Sequence, residues 1–431
     1  MYKSNAKYKA LPLLLLIGLT GCKKDSADNQ SATAPVEDKT QSVASSSPSL
    51  AAKLLPDNDK VLFIMGQDTE TLNAFKTDVL DKDANFPYPG GVTLYTKIAH
   101  SFKFGSLAGV TSDVDYGSGR NNFVETLNQF PGAALAVGLD ITDAHDDCKS
   151  IPTKAVAGLV DGEVTPELVS YYRSEVDKLL TFLKESDRQI FLRIGYEFDG
   201  PWNCYNPEAY KETFRFIKQR IDVLDAKNIA TVWQTASWLR DQGIYKVSDP
   251  NHLETYYPGD DVVDWVSFSK FYGEHYRKYQ WNCDALNPEW FTPQVSAVSQ
   301  HDRVLNFARA HHKPVMISEA APAAFSTSTL TASCIFTNHP VAITVDDLWE
   351  TWYQDYFDYI EENRDVIRAA AYINTNWHTQ SMWYCEPEAT AGAEGCKQSY
   401  WGDSRIEGNP IILERFSKEI SKSHFVQKSR P

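Results

Sequence analysis

The sequence is poor in basic residues, in methionine and histidine, and in long apolar runs. Its 42 Lys and Arg stand against 57 Asp and Glu, which leaves a net charge of −15 over 431 residues. So acidic a chain makes a poor nucleic-acid partner, because phosphate backbones are held by clustered cations. The N-terminal apolar run, Leu11 to Leu19, is too short to cross a bilayer as a stable helix. The cysteines show no zinc-ligand spacing with histidine, so no metal is expected. Internal repeats and an interdomain linker are also absent. What the chain has in excess is aromatic: 13% of its residues, with 11 Trp among them. Flat apolar rings in that number serve either a large core or a surface that stacks on a ligand.

Lys3, Lys7 and Lys9 precede the apolar run, which closes in Leu19-Thr20-Gly21-Cys22. This ending resembles the bacterial lipobox. The resemblance implies a signal peptide over residues 1–21, acyl chains on Cys22, and attachment to a membrane through them. Lys23 and Lys24 stand where enterobacterial lipoproteins carry a retention Asp, which favours the outer membrane or cell surface of a Gram-negative bacterium. Residues 22–53 form the linker. As far as Ser49 it is Ser, Ala, Thr, Asp and Gln with almost no large apolar side chain, the composition of a flexible tether. One folded domain, residues 54–431, is expected to follow, as a monomer.

Strand-like runs occur at Val61–Gly66, Val92–Ile98, Ala133–Asp140, Gln189–Tyr196, Ile229–Thr235, Trp265–Phe271, Pro314–Ala320 and Ile367–Asn374. Several are continuously apolar, as strands buried on both faces are. Helices lie between them. Thr165-Pro166-Glu167 sets a capping Thr before a proline, followed by Leu168, Tyr172, Val176, Leu179 and Leu183 on one face; Asn206-Pro207-Glu208 repeats the device. Eight strands with intervening helices predict an α/β fold, a single (β/α)8 TIM barrel.

In such a barrel the chemistry belongs at the C-terminal ends of the strands. Glu197 stands there just after strand four, and Glu319 at the end of strand seven. A glutamate closing a buried strand must face a solvated mouth or be desolvated at a cost. Two of them on opposite sides of one mouth can converge on a ligand. Glycoside hydrolysis needs such a pair: one carboxyl protonates the leaving oxygen, the other attacks the anomeric carbon. Neither role calls for a cofactor. A pair of rim carboxylates without chemistry is the plainer alternative, and with it a surface glycan-binding lipoprotein on an inactive barrel.

"RIGYEFDGPW" resembles the acid/base signature of glycoside hydrolase family 26, with Arg193, Glu197, Gly200 and Trp202 matching position for position. "YYPGDDVVDWVSFSKFY" resembles that family's segment leading into strand six, and "KPVMISEAAP" its nucleophile strand; Trp233 fits as well. The resemblance implies a retaining, endo-acting β-glycosidase with Glu197 as acid/base and Glu319 as nucleophile, acting on a polysaccharide. The family's His before the acid/base is Tyr196 here, and its Asn two residues on is Asp199, whose charge would raise the pKa of Glu197. These departures imply a divergent branch with a substrate other than ordinary mannan.

By the same resemblance Arg193 orients a carboxylate, Tyr272 hydrogen-bonds the nucleophile, and Trp377 lies beneath the sugar at the cleavage point. Trp202, Trp238, Trp281 and Trp383 fall in strand-end loops suited to stacking on sugar faces. Lys270, His275, Arg277 and Lys278 cluster after strand six, with Arg240 and His378 after strands five and eight. Lining the cleft, they would suit an anionic, even sulfated, glycan; a neutral mannan, xylan or glucan fits equally. Asp140, Asp143, Asp146 and Asp147 lack the spacing of a calcium loop. Six cysteines permit fifteen disulfide pairings. In a barrel all six belong to catalytic-face loops, and consecutive loops are neighbours, which selects Cys148–Cys204, Cys283–Cys334 and Cys385–Cys396.

Overall fold

The computed structural model describes residues 50, 52–142, 148–272 and 293–430. Eight strands organise it: β1 (Val61–Met65), β2 (Gly91–Lys97), β3 (Ala134–Asp140), β4 (Ile190–Ile194), β5 (Ile229–Thr235), β6 (Trp265–Lys270), β7 (Val315–Ala320) and β8 (Ile367–Tyr372). Each lies within two residues of a strand read from the sequence. All pair in parallel and in chain order, and β8 returns to β1 from Leu62↔Ala369 to Met65↔Tyr372. The barrel is closed, as the alternation of strands and helices predicts.

Successive strand residues point to opposite faces, so each strand feeds two cores. Leu62, Ile64, Phe191, Val232, Trp265, Met316 and Ala369 fill the barrel, with Leu54 and Leu55 packed against them. Phe63, Leu135, Leu192, Trp233, Val266 and Ile317 face the surrounding helices. Of these, α1 (Pro166–Glu185) and α2 (Pro207–Val223) begin as expected: Thr165 accepts from the Leu168 amide and Asn206 from the Ala209 amide, each with a proline at the first helical position. The apolar stripe Tyr172, Val176, Leu179 and Leu183 of α1 is buried. Each such fully buried aliphatic side chain stabilises by about 1.5–3 kcal/mol. Helices α3 (Ala297–Ala310) and α4 (Gln354–Glu362) cover β6, β7 and β8.

Strand β7 carries an irregularity that matters for the site. Phe268 pairs with Ile317, but Ser269 pairs with Glu319, so Ser318 is an extra residue. Val315 and Ile317 face the helices, Met316 faces the barrel, and the Ser318 hydroxyl bonds that of Ser267. Strict alternation would send Glu319 outward after Ser318. The bulge turns it inward instead.

Above the strand ends lies a third apolar cluster, with Ala321, Phe336, Ile373, Trp377, Tyr400 and Trp401 buried in it and Trp238, Tyr272 and Trp383 packed on it. Short strands of two residues each, including Phe325–Ser326 and Gly402–Asp403, form a small sheet in these loops. Disulfides Cys148–Cys204 and Cys385–Cys396 join the loops that barrel order selects. Cys334 is disulfide-bonded too, and its expected partner Cys283 lies outside the described residues. Outside them also are residues 1–49 with Cys22, Asp143, Asp146 and Asp147, and the stretch holding His275, Arg277, Lys278 and Trp281.

Candidate active site

Strand β4 ends at Ile194, and the chain then turns through Gly195-Tyr196-Glu197. Glu197 therefore stands in a turn, three residues past the end of the strand and two further from it than the run Gln189–Tyr196 indicates. Its φ of 53° lies in the left-handed region, which costs a non-glycine residue about 1–3 kcal/mol and persists only where neighbours over-determine it. The neighbours are present. The Asn203 side-chain amide donates to the carbonyls of Tyr196 and Glu197, both at 2.9 Å, and the Phe198 amide donates to the Gln234 carbonyl at 3.1 Å. Phe198 stacks on Trp233 with ring centroids 4.5 Å apart. Trp233, which the family pattern brings to attention, thus faces away from the mouth and braces the turn from behind.

The two glutamates converge. Arg193, fully buried, donates to Glu319 Oε1 at 2.7 Å, to Gln234 Oε1 at 3.2 Å and to the Thr93 hydroxyl at 3.0 Å. Gln234 Nε2 donates to Glu319 Oε1 at 3.2 Å and to Ser269 Oγ at 3.1 Å, and Ser269 Oγ donates to Glu197 Oε1 at 2.8 Å. Three hydrogen bonds thus lead from one carboxyl to the other. Room for Arg193 comes from β3: a Cβ on Gly138 would lie 2.4 Å from the Tyr95 ring and 2.9 Å from the guanidinium.

Glu197 is held well above the ordinary carboxylate range, at about 8, by burial first and by the charge of Glu319 second; Asp199 adds to the rise. Opposing it are the donors Ser269 and Trp202, whose indole Nε1 reaches Glu197 Oε2 at 3.1 Å. Trp202 is half exposed and lies against Gly200, where a Cβ would meet the indole at 2.5 Å. Asp199 is buried, accepting from the Thr235 hydroxyl at 2.5 Å and the Ala236 amide at 2.6 Å, with His252 Nε2 at 3.0 Å.

Other expected residues divide. Tyr196 gathers at the mouth, its ring 5.3 Å from Tyr95 and within 5.5 Å of the Arg193 guanidinium. Trp238 meets Trp202 edge to face at 5.2 Å. Tyr272 is partly buried beside Glu197, whose charge adds to the effect of burial in pushing the phenol up. Trp377 is buried among Trp383 and Trp401, with ring centroids 5.7 and 5.0 Å away. Lys270 is a correction. It is 1% exposed and donates to Asp355 of α4 at 2.7 Å, beneath the helix layer. The reason is strand parity: Ser269 faces the barrel, so Lys270 must face the helices. His378 is no fixed cation either, since burial pushes its imidazole down. Of the described cations in that set, this leaves Arg240, which is half-buried. Asp140 is ion-paired with Lys97 at 2.8 Å, and the described residues contain no group of three or more potential metal-ligating side chains.

Gln234, Ser269, Thr93, Tyr95 and Gly138 escaped the sequence reading. Gln234 and Ser269 were accessible to it, as the last inward positions of β5 and β6 once alternation is followed to the strand ends.

The chain matches no protein-family model. It is 33% identical over 384 residues to a Vibrio protein described as β-1,3-xylanase TXYA, covering 88% of this chain and 68% of that one. It is 31% identical over 390 residues to an Alcaligenes β-1,3-xylanase, covering 90% and 68%. Among solved structures, a family 26 β-mannanase from Bacteroides ovatus superposes with a TM-score of 0.52 at 13% identity, over 86% of this chain and 90% of that one. That likeness concerns the fold.

Proposed function

Because the chain belongs to the β-1,3-xylanases of glycoside hydrolase family 26, we propose that it is an endo-acting β-1,3-xylanase that cleaves by retaining double displacement. That it is a glycoside hydrolase follows from the membership itself. The observation that carries the mechanism is the pairing of one buried carboxyl held protonated with a second that is ion-paired, joined through Gln234 and Ser269.

Glu197 is the acid. With its pKa near 8 it keeps its proton at neutral pH and can give it to the glycosidic oxygen as the bond to the anomeric carbon breaks. Glu319 is the nucleophile. Among the described residues both hydrogen bonds to it end on Oε1, which leaves Oε2 to form the bond to the anomeric carbon. The sugar is then an ester of Glu319, and the charge that was the second cause of Glu197's high pKa is gone. Glu197, now ionised, takes a proton from water while that water displaces Glu319, and two inversions leave the configuration retained. Tyr196 in place of the usual histidine, and Trp202 and Trp238 on the leaving-group side, form the surface against which the xylan chain is held. The lipobox at Cys22 supports an enzyme tethered to the outer membrane, with residues 22–49 as tether, since Ala52 and Lys53 already belong to the barrel: Ala52 packs on its interior and the Lys53 carbonyl accepts from the Trp265 indole at 2.8 Å.

Incubating the protein with β-1,3-xylan, β-1,4-xylan and β-mannan, and sizing the products, tests this reading. Internal cuts in β-1,3-xylan yielding short oligosaccharides are expected. Exclusive release of monosaccharide, or activity on mannan or β-1,4-xylan alone, would overturn it.

A further inference from the structure

The hydrogen bonds between the two glutamates have a direction. Arg193 can only donate, so the Gln234 carboxamide must turn its oxygen to the guanidinium at 3.2 Å and its NH2 group away. Those two hydrogens reach Glu319 Oε1 at 3.2 Å and Ser269 Oγ at 3.1 Å. Ser269 has one proton; receiving a bond from Gln234, it sends that proton to Glu197 Oε1 at 2.8 Å. Ser269 is 2% exposed. Oε1 of Glu197 is thereby committed as an acceptor. The other oxygen, Oε2, accepts from the indole Nε1 of Trp202 at 3.1 Å, but this donor, unlike the buried Ser269, is half exposed and open to displacement.

We propose that Gln234 and Ser269 are positioning residues that dictate which oxygen of Glu197 carries the transferable proton, reserving Oε2 for the leaving group. The inference rests on the assignment of Glu197 as acid and Glu319 as nucleophile. Through it, the same amide that aims the nucleophile also aims the acid, so loss of Gln234 disturbs both and loss of Ser269 disturbs the acid alone. The titratable groups that act on Glu197, or on which it acts, are Glu319, Asp199, Tyr95, Tyr196 and Tyr272, and none of these is altered by either substitution.

The test measures kcat/KM against pH on β-1,3-xylan and on an aryl β-xylobioside with an activated leaving group. Ser269→Ala removes a donor to the ionised carboxyl, so the alkaline limb should move up by about one pH unit. Turnover of xylan should fall about tenfold, inside the hundredfold that misplacement by about 1 Å can cost. The activated substrate should be nearly spared and KM unchanged. Ser269→Cys, which keeps the volume but donates weakly, should give a smaller shift in the same direction and guards against loss of fold in the alanine variant. Gln234→Met should slow both substrates. An unmoved alkaline limb in Ser269→Ala and Ser269→Cys, or equal slowing of both substrates, would overturn the inference. Glu197→Gln serves as control: if it too slows both substrates equally, the acid assignment has failed and takes the relay with it. If only the Ser269 variants miss their outcome, the relay alone falls.

Discussion

The two ends of one barrel interior are built from the same strands and do opposite work. At the N-terminal end β4 contributes Phe191, β6 Trp265 and β7 Met316, closed below by Leu54 and Leu55. A few residues further along, the same strands contribute Arg193, Ser269 and Glu319. The lower layer is apolar and close-packed, with Phe191 and Trp265 edge to face at 5.2 Å. In the upper layer Gly138 gives up volume so that a guanidinium can enter, and a bulge at Ser318 spends backbone regularity to turn Glu319 inward. Stability is concentrated below and chemistry above, and substitutions at the two levels should fail in different ways.

The largest effect belongs to the upper layer. Glu319→Gln should lower turnover of every substrate by at least about 10⁴-fold, since it removes the bond-forming carboxylate, and should also lower the melting temperature, since it takes the counter-charge from the buried Arg193. Glu197→Gln should cost about 10²–10⁴-fold on xylan, the usual worth of a general acid, and far less where the leaving group is already a weak base. The same assignment fixes the sign of the pH dependence. Glu197 must be protonated to act, so kcat/KM should fall about tenfold per unit once pH rises past about 8. A limb at ordinary carboxylate pH would mean that burial does not protect the proton.

The lower layer should answer differently. Trp265→Ala empties a site with no solvent exposure and should destabilise by about 3–5 kcal/mol, leaving the kcat/KM of the folded fraction near wild type. The smallest effect sharpens the boundary between barrel and helices. Lys270→Met breaks the bond to Asp355, itself 23% exposed, and should cost about 1–3 kcal/mol of stability. Its KM for xylan should not move; a raised KM would return Lys270 to the cleft.

The legibility of each layer follows from its physics. All eight strands were readable because apolar runs buried on both faces are hard to disguise, and Thr165-Pro166 and Asn206-Pro207 mark helix starts by local capping alone. The glutamates were readable as charges where apolar strands end. Lys270 was misread because its neighbourhood in sequence is polar while its strand parity points it at α4. The bulge that turns Glu319 inward leaves no trace in residue type, since it exists only as a register shift against β6. Gly138 resembles any glycine until Tyr95 and Arg193 are seen to occupy the space of its missing side chain. The two-residue strands of the loop sheet carry no periodicity to read.

The central claim is that the upper layer breaks the glycosidic bond through a covalent bond to Glu319. The most direct measurement is proton NMR of the anomeric signals during the first minutes of hydrolysis of a β-1,3-xylo-oligosaccharide, before mutarotation mixes them. The account predicts that the β-anomer appears first and the α-anomer grows in afterwards. An initial α-anomer would mean a single displacement by water, and would remove Glu319 from the role of nucleophile.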